Sequence, residues 1–220
     1  MISTKQGPFG AFVVRPAGAV AALAIALGLL SGCAIAPDKP QRPAVFDFGP
    51  GATASRPATR QAPLPALVLP EVEAAGAFDG TAMLYRLAYA DAQQLRPYAQ
   101  ARWSMPPAAL LRQRVREGLG AGRAVLSGGD APAALTLRLE LEEFTHVFES
   151  PQRSAGLLRL RATLLDTRTG TGQLVAQREV VVQREASTPD APGGVRALTA
   201  CADAAVEEIA RWLAQTPVPR

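Results

Sequence analysis

Cysteine and histidine, the side chains that most often bind zinc or act as nucleophile and base, occur only three times in this chain, as Cys33, His146 and Cys201. A zinc site takes three or four such ligands, and a Cys–His pair needs a free thiol beside the imidazole. If Cys33 is modified, as argued below, neither site can be assembled from the usual ligands. We expect His146 to be partly buried with its hydrogen bonds satisfied, and Cys201 to be a buried apolar side chain.

The carboxylates of Glu140, Glu142 and Glu143 are the other candidates for chemistry. Paired carboxylates serve glycoside hydrolysis, but Glu140 and Glu142 alternate outwards along a predicted strand, which favours a solvated or edge-protecting face. The sequence contains no G-x-S-x-G, no H-E-x-x-H and no phosphate-binding glycine loop ahead of a helix. We therefore predict that the protein is not an enzyme and needs no metal or other cofactor.

The N-terminus has the pattern of an export signal. Lys5 and Arg15 precede an apolar run of 14 residues, Ala17 to Leu30. This run is too short for a spanning helix, which needs about 20 apolar residues. It ends in Leu30-Ser31-Gly32-Cys33, which resembles a bacterial lipobox. We expect residues 1–32 to be a cleaved lipoprotein signal peptide; an ordinary secretory signal or an uncleaved anchor is the alternative.

Cys33 would then become the lipidated N-terminus, carrying acyl chains such as palmitate. The next residue is Ala34. In enterobacterial lipoproteins, an aspartate at that position favours retention in the inner membrane. By resemblance to those lipoproteins, Ala34 favours the outer membrane, facing the periplasm. Each buried acyl CH₂ contributes about 0.8 kcal/mol to membrane binding, and one chain alone anchors only marginally.

Prolines dominate the segment after Cys33, with six of them between residues 34 and 63. Such a segment cannot bury enough apolar surface to fold alone, and in extended form it covers about 3.1 Å per residue. We predict that residues 33–63 form a tether several nanometres long. The sequence "VFDFGP" interrupts it, where Phe46 and Phe48 alternate as in a short edge strand before a turn.

The charge of the mature chain is nearly balanced, with 21 basic and 19 acidic side chains once Lys5 and Arg15 are removed. The arginines are scattered among acids and form no tract that would follow a phosphate backbone. Nucleic acid is therefore excluded as a partner.

Hydrophobic periodicity predicts one domain over residues 64–214, followed by a disordered tail at 215–220. The predicted strands lie at 64–70, 82–90, 93–103, 134–149, 158–164 and 174–185, and the predicted helices lie between Ser104 and Gly120 and after the loop 188–194. The alternation changes phase at Glu142–Glu143, which indicates a β-bulge. These elements predict the α+β class: a two-layer domain with a mostly antiparallel sheet and helices packed on one face.

Four aromatic side chains are candidates for a partner-binding surface. Trp103 and Tyr98 lie where extended chain meets the first helix, and aromatic residues are enriched at protein interfaces. Phe144 and Phe148 place large apolar groups near a strand end, where we expect at least one to face outwards unless something covers it. The alternative for Trp103 is that it closes the core.

Several motifs together carry a family likeness: the lipobox, the island Phe46-Asp47-Phe48-Gly49-Pro50, "LVLPEVEA", "MLYRLA" and "YAQARWSMPPAALLRQRVREGL". The C-terminal "LLDTRTG" hairpin and a helix containing Ala-Arg-Trp-Leu fit as well. The whole mature chain resembles the ABC-type transport auxiliary lipoproteins, which include the paraquat-inducible protein C type. The most specific piece is Tyr98 to Pro107.

This resemblance implies a non-catalytic component of a lipid transport system in a Gram-negative envelope. Such systems pair an ABC ATPase and permease in the inner membrane with a mammalian-cell-entry (MCE) domain protein that bridges the periplasm. The lipoprotein, with three acyl chains on Cys33, would hold the far end of that bridge at the outer membrane. By analogy with ring-like MCE assemblies, a homo-oligomer is plausible.

Two other functions remain open. The protein could be a periplasmic scaffold or activator of a cell-envelope enzyme, which predicts a surface groove and no central apolar pocket. It could also carry a lipid itself, which predicts a pocket of roughly 300 Å³ or more between helices and sheet.

Overall fold

The structure, a computed structural model, describes residues 42–51, 64–128, 133–170 and 172–217. Within these residues it contains strands β1 (Ala44–Phe46), β2 (Leu64–Val68), β3 (Glu73–Ala74), β4 (Ala82–Leu87), β5 (Leu95–Trp103), β6 (Arg123–Leu126), β7 (Leu135–Phe148), β8 (Ser154–Asp166) and β9 (Gln173–Glu185), helices α1 (Pro107–Gly120) and α2 (Ala191–Gln215), and a 3₁₀ turn at Gly76–Phe78. The predicted α+β class is confirmed. Cys33, the signal peptide and most of the predicted tether lie outside the described residues.

Strand β7 is the centre of a mixed sheet. On one side it pairs antiparallel with β8, which pairs antiparallel with β9. On its other side β7 pairs in parallel with β2 near its start, with β3 at its middle and with β4 at its end. Strand β2 continues to β6 in parallel, and β4 continues to β5 and then to β1. The long ladders are therefore antiparallel, as predicted, and the short ones are mostly parallel.

A β-bulge keeps the apolar side chains of β7 on one face. The pairing of β7 with β8 shifts between Leu141 and Glu143, at the predicted position. Leu137, Leu139 and Leu141 face the core before the bulge, and Phe144 faces it afterwards, because the extra residue reverses the alternation. The bulge is what allows a single strand to contribute leucines at one end of the core and aromatic rings at the other.

Helix α2 packs on the face of the β7–β8–β9 meander that carries Leu137, Leu160 and Val180, all fully buried, and it also contacts α1. Asp190 caps α2 by accepting a hydrogen bond from the Gly193 backbone N–H at 2.8 Å. The helix approaches β8 closely at Gly156, where a Cβ would lie 2.8 Å from the carbonyl carbon of Ala197. Helix α1 contacts α2 and strand β6, so the two helices pack against each other and each contacts the sheet.

The described domain begins earlier than the predicted boundary at residue 64. Strand β1 pairs in parallel with β5, matching Phe46 to Trp103, and Phe48 is 7% exposed in the core. The sequence placed these residues in the tether as an isolated island; the structure instead makes them part of the sheet and of the core. The short strand predicted around Phe46 is present as β1, whereas strands β3 and β6 were not predicted. No helix of the described residues is apolar and long enough to cross a membrane.

Candidate functional site

An aromatic cluster closes the core where β1, β5 and β7 meet. The ring of Phe48 packs edge-on against Trp103 at 5.6 Å between centroids, and Trp103 lies 5.5 Å from Phe144. Phe48 and Phe144 are 5.9 Å apart, so the three rings contact one another. Trp103 is the last residue of β5, and Phe144 faces the core because of the bulge.

A second cluster lies further along the same face of β7. The Tyr98 hydroxyl lies 2.8 Å from Nδ1 of His146, and the His146 ring packs against Phe148 at 4.5 Å. Tyr85 of β4 packs against Tyr98 at 4.6 Å and edge-on to Phe148 at 6.0 Å. The described structure therefore brings all four predicted partner-binding residues to two neighbouring clusters.

Three of these four residues are core residues. Trp103, Phe144 and Phe148 are buried, and Tyr98 is partly exposed. Neither Phe144 nor Phe148 faces outwards, which is the exception that the expectation allowed for: the bulge turns both towards the core, and the rings of Tyr85, Phe48 and Trp103 cover them. A partner cannot contact the three buried rings without opening the core.

His146 is held as a neutral, structural imidazole. Burial lowers its pKa from the ordinary 6.5 to about 4, against the smaller opposing effect of the nearby Asp190 carboxylate. Burial also raises the pKa of the Tyr98 phenol, so the hydroxyl stays protonated and can donate to Nδ1. In that tautomer the Nε2–H has no hydrogen-bond partner among the described residues. The expectation of a fully satisfied histidine therefore holds for one ring nitrogen and fails for the other.

Cys201 is buried on α2, as predicted. Its Sγ donates to the carbonyl oxygen of Gly156 at 3.2 Å, and burial raises the pKa of the thiol to about 12. A thiol with this pKa supplies almost no thiolate near neutral pH, so Cys201 is inert as a nucleophile.

Two acidic residues of β7 pair with arginines on the sheet face opposite the helices. Glu142 forms a salt bridge with Arg161, and Glu143 forms one with Arg86 at 3.5 Å. Glu143 also accepts a hydrogen bond from the Thr145 hydroxyl at 2.6 Å. Within the described residues, no three His, Cys, Asp or Glu side chains group closely enough to hold a metal ion.

The N-terminal clasp, which we define as residues 44–49 together with Arg114 of α1, is the feature that the sequence reasoning missed. Arg114 is 5% exposed, and its guanidinium donates to the carbonyl oxygens of Phe48 and Gly49, the latter at 3.0 Å. It also forms a salt bridge with Asp203 of α2 at 3.5 Å. A signal was present in the sequence, because Arg114 lies on the apolar stripe of α1 between Leu111 and Val115.

Two depressions of the described surface are relevant to ligand binding. One next to the clasp has a volume of about 100 Å³ and is lined partly by Phe48, Met105 and Arg114. A larger one of about 360 Å³ lies between β9 and the end of α2, lined by Arg178, Glu208, Arg211, Trp212 and Gln215. Neither has the apolar lining that an acyl chain requires.

The sequence from residue 46 to residue 210 matches the family model of the ABC-type transport auxiliary lipoprotein component. The chain belongs to this family. It is therefore an auxiliary lipoprotein component of ABC-type transport, as the motifs suggested. No curated protein matches the sequence.

Solved structures with the same fold include the protein XCC0632 from Xanthomonas campestris, which is 20% identical, with a TM-score of 0.61 over 70% of this chain and 88% of that one. An uncharacterised protein is 15% identical, with a TM-score of 0.60 over 79% of this chain and 99% of that one. These likenesses support the fold alone.

Proposed function

We propose that this auxiliary lipoprotein is a non-catalytic component of an MCE-type lipid transport system. It is anchored through acyl chains on Cys33 in the outer membrane and docks the MCE-domain protein there. Through that partner it connects to the inner-membrane permease and ATPase. The observation that carries the proposal is the family match across residues 46–210.

The chemistry of the described residues is consistent with a docking protein. The imidazole of His146 is neutral and enclosed, the thiol of Cys201 is buried, and Glu142 and Glu143 are paired with arginines. Each of these groups is occupied by a structural contact, which supports a role without catalysis. A lipidated domain also raises the effective concentration of its binding surface near the membrane without any new contact.

The lipid-carrier alternative is not favoured. A carrier needs a pocket of roughly 300 Å³ or more that is lined by apolar groups. The depression of about 360 Å³ between β9 and the end of α2 is lined mainly by arginine, glutamate and glutamine. The leucines between α2 and the meander, including Leu137 and Leu160, are fully buried by their neighbours, so an acyl chain would have to displace them.

The proposal is tested by affinity capture from membranes in mild detergent, followed by mass spectrometry of the co-purifying proteins. We expect tagged wild type to recover an MCE-domain protein and Cys33→Ala to lose it. Cys201→Ala, which leaves the anchor in place, should behave as wild type. Capture of a cell-wall synthase alone, or of no envelope protein, would overturn the transport role.

A further inference from the structure

Residues 44–49 are held in the domain by backbone pairing, by a buried side chain and by a hydrogen-bonded turn. The backbone of β1 pairs with β5, and the Ser104 N–H donates to the carbonyl oxygen of Phe46 at 2.7 Å. The side chain of Phe48 is buried against Trp103 and Phe144. A turn then follows, in which Gly49 has φ of 60° and its N–H donates to the Asp47 carboxylate at 2.8 Å.

Arg114 of α1 contacts the same segment from the helix side. A buried guanidinium is costly unless it is paired and hydrogen-bonded, and here the backbone carbonyls of Phe48 and Gly49 supply much of the compensation. Its contact with Asp203 ties the same point to α2, and its guanidinium carbon lies 5.8 Å from the centroid of the Phe48 ring. Releasing the segment would therefore leave a buried charge without its carbonyl partners.

This geometry changes the length of chain that can act as a tether. The chain from Cys33 to Ala44 spans at most about 36–40 Å when fully extended, and about 34 Å in polyproline II form. A tether that ran from Cys33 to Leu64 would reach about 96 Å in polyproline II form. The clasp therefore reduces the possible reach nearly threefold.

We propose that the N-terminal clasp sets the working distance between the domain and its membrane, holding the start of β1 within about 40 Å of the lipidated cysteine. This inference rests on the proposed anchor at Cys33. Residues 52–63 then form a connection inside the domain, between β1 and β2, and contribute nothing to the reach. The partner has to come to the domain close to the lipid surface.

The experiment compares two insertions of the same 20-residue Gly-Ser segment in the full, lipidated protein. One insertion follows Asp38, between Cys33 and the clasp, and the matched control follows Ser55, between the clasp and β2. The protein is reconstituted in phosphatidylethanolamine–phosphatidylglycerol vesicles that contain an acceptor-labelled lipid. The donor dye is placed on Val181→Cys, an exposed position on β9, at the other edge of the sheet from β1.

We expect the insertion after Asp38 to increase the mean donor–membrane distance by roughly 20 Å, the size of a flexible segment of this length. The insertion after Ser55 should leave the distance unchanged. Combining the Ser55 insertion with Arg114→Met should restore sensitivity to it, with circular dichroism confirming that the variant is folded. If that variant does not fold, the comparison of the two insertions alone decides.

Equal increases from both insertions would overturn the clasp, because all of residues 34–63 would then act as tether. Mass spectrometry of the N-terminal peptide separates this failure from failure of the proposed function. An unlipidated Cys33 would overturn the anchor and the reach inference with it. A lipidated Cys33 with equal increases would overturn the clasp and leave the anchor standing.

Discussion

The close packing of α2 against β7 requires a residue without a side chain at Gly194. A Cβ at this position would lie 2.4 Å from Nδ1 of His146, 2.7 Å from its Cγ and 2.9 Å from Cε of Met83. Ordinary carbon contacts are about 3.5–4.0 Å, so the ring or the helix would have to move by about 1 Å. The ring is held by the Tyr98 hydroxyl at 2.8 Å and by Phe148 at 4.5 Å, which leaves the helix to shift.

We therefore expect Gly194→Ala to destabilise the domain. Overpacking of a filled core costs about 1–3 kcal/mol. The better helix propensity of alanine offsets up to about 1 kcal/mol of this. Subtracting this offset leaves a net loss in the free energy of unfolding centred on about 1.5 kcal/mol, which lowers Tm by roughly 3–6 °C for a protein of this size.

The assay is urea denaturation of the chain from residue 34 onwards, followed by circular dichroism, with Gly120→Ala as the control. Gly120 is the last residue of α1, and a Cβ there would meet no atom within 4 Å. Its replacement should leave stability unchanged or raise it by up to about 1 kcal/mol. If Gly194→Ala were as stable as the control, α2 would not rest on the His146 ring as described.

Three further predictions concern the buried polar groups. The pKa of His146 is about 4 in the folded protein and 6.5 in the unfolded chain, so the unfolded chain binds the proton first as the pH falls. The free energy of unfolding should therefore fall by up to about 3 kcal/mol between pH 6.5 and 4. His146→Gln should flatten this pH dependence in denaturation curves taken across that range. Tyr98→Phe leaves Nδ1 of His146 buried without its donor and should lower the free energy of unfolding by about 1–3 kcal/mol in the same assay. An unchanged denaturation midpoint would show that this hydrogen bond contributes nothing to stability. Cys201, with a thiol pKa of about 12, should resist a thiol-specific disulfide reagent at pH 8 until denaturant is added, whereas rapid modification of the native protein would contradict its burial.

Periodicity predicted the long elements correctly, because each has enough residues to show its pattern. Alternating leucines marked β7, and the change of phase at Glu142–Glu143 located the bulge. The two helices were recognised from apolar residues at helical spacing. Strands β3 and β6 were missed, because two to four residues do not establish a period and their formation depends on the neighbouring strand.

The site was harder to predict than the fold, because it depends on contacts between distant parts of the chain. The sequence alone identified Trp103 and Phe144 as candidate partner-binding residues but could not decide whether their rings face the solvent or the core. That decision is made by Phe48, which covers both rings from a segment more than 50 residues before Trp103 in sequence. The position of Arg114 on the apolar stripe of α1 indicated its burial, but its partners are backbone carbonyls that no sequence pattern reveals.

The parallel pairing of β7 with β2, β3 and β4 has a consequence for how the chain folds. Three strands from the first half have no common partner until β7 is available, since Leu67, Glu73 and Tyr85 pair with Leu135, Glu140 and His146. Contacts between residues so far apart form slowly, because the loop between them must first be closed. A chain that emerges N-terminus first can pair β2 with β6 and β4 with β5, but β3 and the edges of β2 and β4 that face β7 stay unpaired until β7 arrives. We therefore expect the first half to be the part of the chain most prone to aggregation before the second half is available.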